Sequence, residues 1–318
     1  MSKIYRPNKV ILAPMEGVAD GLMREMLTAI NCYDLCITEF IRVVDQIVPT
    51  HIFNKICPEL QHNGLTQSNT PIRVQLLGQH PQWMAENAVK AISLGSHGID
   101  INFGCPAKTV NKSKGGAVLL KSPEEIYQII STIKKAVPQG TIVSAKIRLG
   151  FENSNLLDEI VSAVATAQAD QLTIHARTKT DGYRPPAYWH LIGEISEKYP
   201  IELFANGEIW SKANAIQCMQ EAKTENIMLG RGALAMPNLA NVIKLDHTNM
   251  SWLELCELIK HFALLELNGD KSFYFSSRVK QWLRYLKLMF IEAEQLFIEI
   301  KTLKNKDDII TVIDNLKV

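Results

Sequence analysis

At 318 residues, with 47% hydrophobic and 21% charged side chains, the chain has an ordinary globular composition and room for an α/β barrel with an appendage. No apolar run is long enough to span a bilayer, and Met1-Ser2-Lys3-Ile4-Tyr5-Arg6-Pro7 is neither a signal peptide nor an anchor, so a cytoplasmic protein without a membrane partner is expected. A net charge of +1 does not mark a general nucleic-acid binder, and six scattered cysteines without a CxxC pair argue against a disulfide framework or a metal site.

Short β-branched or apolar runs recur along the chain, each followed by a polar loop and a helix-like stretch. The first strand, Val10 to Leu12, leads into Ala13-Pro14-Met15-Glu16, and the second, Leu35 to Ile37, into Thr38-Glu39. The third, Ile72 to Leu76, carries Gln75 near its end and precedes a helical pattern from Trp83 to Leu94. The fourth, Gly98 to Ile101, runs into Asn102-Phe103-Gly104-Cys105-Pro106. Ser122-Pro123-Glu124-Glu125 then starts a helix to Ala136: a serine cap, proline at the first helical position, and acids favoured by the dipole. The fifth strand, Ile142 to Ile147, holds Lys146 and ends at Arg148, before a helix from Leu156 to Ala167. The sixth, Leu172 to Ile174, is followed by His175 and Arg177. The seventh, Ile201 to Phe204, is followed by Asn206-Gly207-Glu208, and the eighth, Ile227 to Leu229, by Gly230-Arg231-Gly232.

Eight such units within about 240 residues predict a TIM (β/α)8 barrel over residues 1–245, in the α/β class. A doubly wound sheet shares the alternation, because periodicity does not reveal closure. After Met236-Pro237 the alternation stops. Asp246 to Asn249 reads as a linker, and Leu253, Leu258, Phe262, Leu265, then Val279, Leu283, Leu286 and Phe290, keep helical spacing. A small all-α C-terminal domain over residues 250–318 is expected.

In a TIM barrel the chemistry sits at the C-terminal strand ends, where these polar residues fall. Loops are polar anyway, but several of these groups lie inside apolar strands, where water is not their expected partner. Gly-Arg-Gly alone is a common turn; after an eighth strand, with Asn206-Gly207 after the seventh, it fits phosphate. Lys146 could form a Schiff base or donate to electron-rich atoms of a flavin ring. His175 could be a satisfied core histidine or a site residue. Cys105, between Gly104 and Pro106, has little packing to do; its thiol could be an acid, a nucleophile or a buried packing group.

These residues together resemble the tRNA-dihydrouridine synthases. The likeness rests on Ala13-Pro14-Met15, Asn102-Phe103-Gly104-Cys105-Pro106, Gly116-Ala117-Val118-Leu119-Leu120, Lys146-Ile147-Arg148, His175-Ala176-Arg177-Thr178, Asn206-Gly207-Glu208-Ile209 and Gly230-Arg231-Gly232, in order over most of the barrel. The C-type subgroup, associated with uridine 16 of the tRNA D-loop, is most similar through Pro14-Met15-Glu16-Gly17-Val18, Asp34 to Phe40, Arg42 to Gln46, and Lys280-Gln281-Trp282-Leu283. Thr180-Asp181-Gly182-Tyr183-Arg184 departs from the commoner family loop, which leaves the target uridine less firmly marked than the reaction.

The resemblance implies bound FMN, NADPH as reductant and tRNA as partner; no protein partner is inferred and a monomer is expected, although the sequence itself does not give the oligomeric state. It implies Ala13, Pro14 and Met15 along the flavin ring, Gln75 at its pyrimidine edge, and Lys146 and His175 beside it. Asn206, Gly207, Glu208, Gly230 and Arg231 would hold the ribityl-phosphate end. Cys105 would protonate C5 of the uracil after hydride reaches C6. Asn102 and Tyr183 would receive the extruded base, and Arg42, Arg278, Lys280, Trp282 and Arg284 would contact tRNA. No acid occurs between Asp270 and Glu292, and Lys280, Arg284 and Lys287 share a helix face, although a solvated face would look the same. The rival readings are a free-pyrimidine flavoenzyme, a Schiff-base aldolase through Lys146, and a tRNA-binding protein without catalysis.

Overall fold

The computed structural model describes residues 6–112 and 114–316, so the first five residues of the expected barrel segment and the last two of the helical segment lie outside the described ones. Eight strands close into one parallel barrel in chain order. They are β1 (Lys9–Leu12), β2 (Leu35–Arg42), β3 (Ile72–Leu77), β4 (Ile99–Asn102), β5 (Val143–Arg148), β6 (Gln171–His175), β7 (Glu202–Asn206) and β8 (Asn226–Leu229). Closure is direct: Lys9, Val10, Ile11 and Leu12 pair with Asn226, Ile227, Met228 and Leu229. This decides between the two α/β architectures that alternation alone allows.

The helices follow in order. They are α1 (Gly21–Ala29), α2 (Thr50–Ile56), α3 (Pro81–Ser93), α4 (Lys108–Lys112), α5 (Pro123–Ala136), α6 (Leu157–Thr166), α7 (Trp189–Ser196), α8 (Lys212–Ala222), α9 (Arg231–Ala235) and α10 (Leu239–Leu245). Beyond the linker come α11 (Trp252–Asn268), α12 (Phe275–Leu286), α13 (Ile291–Ile300) and α14 (Lys306–Asp314). Among the described residues no helix is long and apolar enough to cross a membrane.

Strand alternation sorts side chains by face. Val10, Leu12, Val74, Leu76, Ile99 and Ile101 point outward into the core shared with the helices. Part of the barrel interior is a small apolar cluster of Ile11, Ala13, Leu35, Ile37, Phe204 and Met228. Across it the lining is polar: Arg73, Gln75, Asp100 and Ser144 are all buried. Arg73 donates to Ser144 Oγ (3.0 Å) and Gln171 Oε1 (2.6 Å), closing the lower end with satisfied groups.

The second strand is longer than its apolar run. It continues through Glu39 to Arg42 across a register shift between Ile37 and Phe40. Thr38 Oγ1 accepts the Gln75 backbone N–H there (3.1 Å), so a side chain replaces a ladder bond and the polar residues stay in the sheet.

The C-terminal helices share one continuous apolar core with the barrel helices. Ser251 and Glu254 form a capping box that starts α11 sharply after the linker. Asp20, the N-cap of α1, accepts ion pairs from Lys271 (2.6 Å) and Arg278 (2.9 Å). Arg278 also pairs with Glu266. Trp282, 2% exposed, packs edge-on against Phe262 with ring centres 4.8 Å apart and donates from Nε1 to Leu234 O of α9 (3.1 Å).

These contacts correct two expectations. Arg278 and Trp282 do not present side chains to an RNA. They are buried fasteners between the C-terminal helices and the barrel, with Arg278 Nε and Nη2 and Trp282 Nε1 engaged within the chain.

Candidate active site

The upper ends of the strands surround a cavity of about 410 Å³, within the range of small-molecule and cofactor sites. Ala13, Pro14 and Met15 enter from the end of β1, Gln75 from β3, and Asn102 and Cys105 from the end of β4. Lys146 comes from β5, His175 from β6 and Asn206 from β7, with Gly207, Glu208, Gly230 and Arg231 just beyond β7 and β8. Tyr183 closes one side from the loop after β6. Every residue expected at the cofactor, together with Cys105, Asn102 and Tyr183, therefore lines one space. Several lie on strands rather than loops, because inward positions at a strand's end point over the rim.

Burial pushes the Lys146 ammonium down to about 8, with Arg148 adding to the effect and Asp100 opposing it. Its Nζ donates to the neutral Asn206 Oδ1 (3.2 Å) rather than to a carboxylate. Asn206 is held in turn by its Nδ2 bond to Met228 O (2.8 Å), which fixes which end of the amide faces the lysine. Burial, then Arg148, Lys146 and Arg177, hold His175 well below the usual histidine range, so it is a neutral imidazole at pH 7. The result is a site whose cation lacks a tightly paired anion, a setting suited to an electron-rich guest.

Gly207 has a φ of +115°, and a Cβ there would meet His175 Cδ2 at 2.9 Å. Glycine is required, and it lets the backbone reach the rim closely. Glu208 lines the cavity with its carboxylate already engaged: its Oε1 lies 2.8 Å from both Arg177 and Arg231, and Trp210 Nε1 donates to its Oε2 (3.1 Å). Burial alone would raise its carboxyl, but Arg177, Trp210 and Arg231 outweigh it and hold it ionised. Its task is to aim Arg231, whose guanidinium also lies 5.1 Å from the ring centres of Tyr183 and Trp210.

Cys105 is half-buried. Burial pushes its thiol up, and the Glu16 carboxylate pushes the same way, so it keeps its proton at neutral pH. Asn102 Oδ1 accepts the backbone N–H of Gly104 (2.9 Å) and Cys105 (2.8 Å), while its Nδ2 donates to Gln75 Oε1 (2.8 Å). The amide expected to receive a base thus also shapes the cysteine loop, with one Nδ2 proton beyond the Gln75 bond. Arg148 ties that loop to the tyrosine loop: Nε donates to Gly104 O (2.8 Å), and Nη1 to Thr178 O (3.0 Å) and Gly182 O (2.9 Å). Its guanidinium also lies 5.3 Å from the Tyr183 ring centre.

The sequence reading assigns no role to several residues that line the cavity, among them Glu16, Glu39, Phe40, Trp210 and Tyr285. Glu16 is visible as the polar residue after Pro14-Met15. Tyr285 is not, since it belongs to α12, and only the docking of the helical domain brings it to the barrel mouth. Arg42, Lys280 and Arg284 lie away from the cavity. Arg42 and Arg284 are exposed. Lys280 is half-buried and donates to Leu303 O.

A family model described as Dihydrouridine synthase (Dus) matches residues 11–315. The tRNA-dihydrouridine(16) synthase of Shewanella oneidensis is 53% identical over 306 residues, covering 96% of this chain and 97% of that protein. The protein of the same name from Vibrio cholerae is 52% identical over 303 residues, covering 95% and 94%. That from Yersinia pestis is 50% identical over 309 residues, covering 97% and 99%. Among solved structures, "Crystal structure of TcOYE with pHBA" superposes with a TM-score of 0.54 at 13% identity, covering 76% of this chain and 90% of that one, a likeness of fold alone.

Proposed function

Because the chain belongs to the dihydrouridine synthase family, we propose that it reduces a uridine in the D-loop of tRNA to 5,6-dihydrouridine, at position 16 as its relatives' names state. The reaction is flavin-dependent; in this reading the flavin is FMN and NADPH restores its reduced state. The observation that carries the proposal is the cavity itself, lined both by a protonated thiol and by the anion-seeking groups Lys146, Asn206 and Arg231.

The residues present fit such a cofactor. Ala13, Pro14 and Met15 offer a flat apolar wall, and Gln75 has amide capacity left for a pyrimidine edge. Lys146 supplies positive charge with no tight counter-ion. Arg231 and the amides around Gly207 and Gly230 provide donors for a phosphate. When bound, the flavin supplies the hydride that goes to C6 of the uracil.

The chain supplies the remainder. Charge gathered at C5 and the C4 carbonyl is discharged when Cys105 Sγ–H gives its proton to C5. The thiolate left behind has a raised affinity for protons and recovers one from solvent at the open rim. Tyr183, 54% exposed and with the Arg148 and Arg231 guanidiniums near its ring, offers a stacking surface to a base pulled from the RNA, an extrusion costing a few kcal/mol. Exposed Arg42 and Arg284 contact phosphates, and the protein acts as a monomer in the cytoplasm.

The test is to map dihydrouridine in tRNA from a strain lacking its own position-16 enzyme, with and without this chain. Restoration at position 16 is expected. Restoration at another D-loop uridine would overturn the position, and no dihydrouridine at all would overturn the reaction.

A further inference from the structure

Asp100 has no task in the mechanism above, yet it is 1% exposed inside the barrel, two residues before Asn102 on β4. Its Oδ2 accepts from Gln75 Nε2 (2.7 Å) and its Oδ1 from Ser144 Oγ (2.5 Å). Ser144 Oγ also accepts from Arg73 Nη1 (3.0 Å), which leaves its own proton for Asp100 in preference to the more distant Ile99 O (3.3 Å). The carboxylate is therefore anchored from below and accepts on both oxygens.

A primary amide has nearly the same shape end for end, so packing does not decide which end carries the oxygen. A carboxylate that accepts on both oxygens does; burial pushes the Asp100 carboxyl up, while the bonds from Gln75 and Ser144 and the charges of Arg73 and Lys146 pull it back toward the ionised form. Facing Asp100, Gln75 has to turn its nitrogen down and its oxygen up. Gln75 Oε1 then accepts from Asn102 Nδ2 (2.8 Å), which commits the nitrogen of that second amide. Asn102 Oδ1 is left to face the loop, where it accepts the N–H groups of Gly104 and Cys105. Reversing Asn102 would set donors against donors at the loop and strand the half-buried N–H groups of Gly104 and Cys105, while reversing Gln75 would set oxygen against oxygen at Asp100 and nitrogen against nitrogen at Asn102.

We infer that Asp100 is a positioning residue that sets the direction of the Gln75 and Asn102 amides and thereby holds the loop carrying the Cys105 thiol over the cavity. Its importance for turnover rests on the reading of Cys105 as the acid; its effect on the loop does not.

The test uses the flavin-loaded protein. Asp100→Ala is expected to lower kcat by about 100-fold while KM for tRNA stays within about twofold, as a displaced reacting group does. The rate at which iodoacetamide alkylates Cys105 is expected to change by about tenfold, with the flavin still bound. Asp100→Asn is expected to recover only part of the turnover: its amide oxygen can accept from Gln75 while its nitrogen faces Ser144 Oγ, but an amide can also meet Gln75 the other way round. An unchanged alkylation profile in Asp100→Ala, or an Asp100→Asn variant as impaired as Asp100→Ala, would overturn the inference. If Asp100→Ala does not fold, Gln75→Met decides by alkylation alone. It cuts the chain of amides and leaves the carboxylate in place, so a wild-type profile would overturn the inference. Normal turnover by Cys105→Ala would sink the acid assignment and leave the alkylation result standing, so the two readings fail separately.

Discussion

A thiol that is to give up a proton must first keep it. Burial and Glu16 do this for Cys105, and Asn102 holds the loop still. Cys105→Ala is expected to bind flavin normally and lose at least about 100-fold in single-turnover reduction of tRNA by the pre-reduced protein, the usual worth of a general acid; unchanged rates would remove it as the acid. Lys146 carries the opposite strain. An unfolded lysine keeps its proton to about 10.5, whereas burial brings this one down to about 8. Its charge therefore opposes folding below pH 8, and the penalty fades as pH rises from 8 to 10.5. Lys146→Met should make the flavin-free protein more stable at pH 7 by about 1–3 kcal/mol, with the gain vanishing toward pH 10, while flavin is held less tightly. Thermal melts across pH check this, and a gain that grew with pH would contradict it. Both residues were legible for the same reason: a cysteine between glycine and proline, and a lysine inside an apolar strand, have no ordinary packing role. Arg278 and Trp282 misled the sequence reading because a helix cation or indole looks alike whether its partner is RNA or a distant part of the chain. Their partners, Asp20 and Leu234, are remote from them in sequence.

At the level of elements, the eight strands were readable from alternation, and the α5 helix from its serine-proline-glutamate start. β2 was under-read because Glu39 and Arg42 break the apolar pattern, and sequence carries no mark of the side-chain bond that keeps them in the sheet. The turn after β7 shows how tightly such a junction can be specified. Gly207→Ala combines a φ of +115° with a contact of 2.9 Å to His175, and should cost about 1–3 kcal/mol. Flavin content should fall with it, and a variant with full flavin content would show that the close backbone approach is not needed. On α12 the basic face divides. Lys280 is turned inward to Leu303 O, whereas Arg284 is exposed. Arg284→Ala should weaken tRNA binding and flatten its logarithmic salt slope by about 1, whereas Lys280→Ala should change it less. Equal effects would mean that Lys280 swings out to the RNA.

For the whole molecule, the C-terminal helices contribute to the candidate site rather than forming a tethered grip, because Tyr285 lines the cavity. No local pattern could reveal this; it depends on how α12 docks. The clasp at Asp20 sets that docking. Burial alone would raise the Asp20 carboxyl, but Arg278 and Lys271 outweigh it and hold it below the ordinary aspartate range. The clasp is therefore fully present above that range and is lost as pH falls through the lowered value. Asp20→Ala should cost about 3 kcal/mol and speed proteolysis at residues 246–251. Cleavage at the wild-type rate would show that apolar contact alone holds the domain.

The closing seam between β1 and β8 also has a consequence in time. β1 leaves the ribosome early, but its second neighbour in the sheet is more than two hundred residues downstream. At synthesis rates of about 5–20 residues per second, its edge waits roughly 10–40 seconds for a partner. For that interval the nascent chain carries an open apolar strand edge, the kind of surface that aggregates or recruits chaperones. Ribosome-bound chains stalled before and after β8 should therefore differ sharply in protease resistance and in the chaperones they attract.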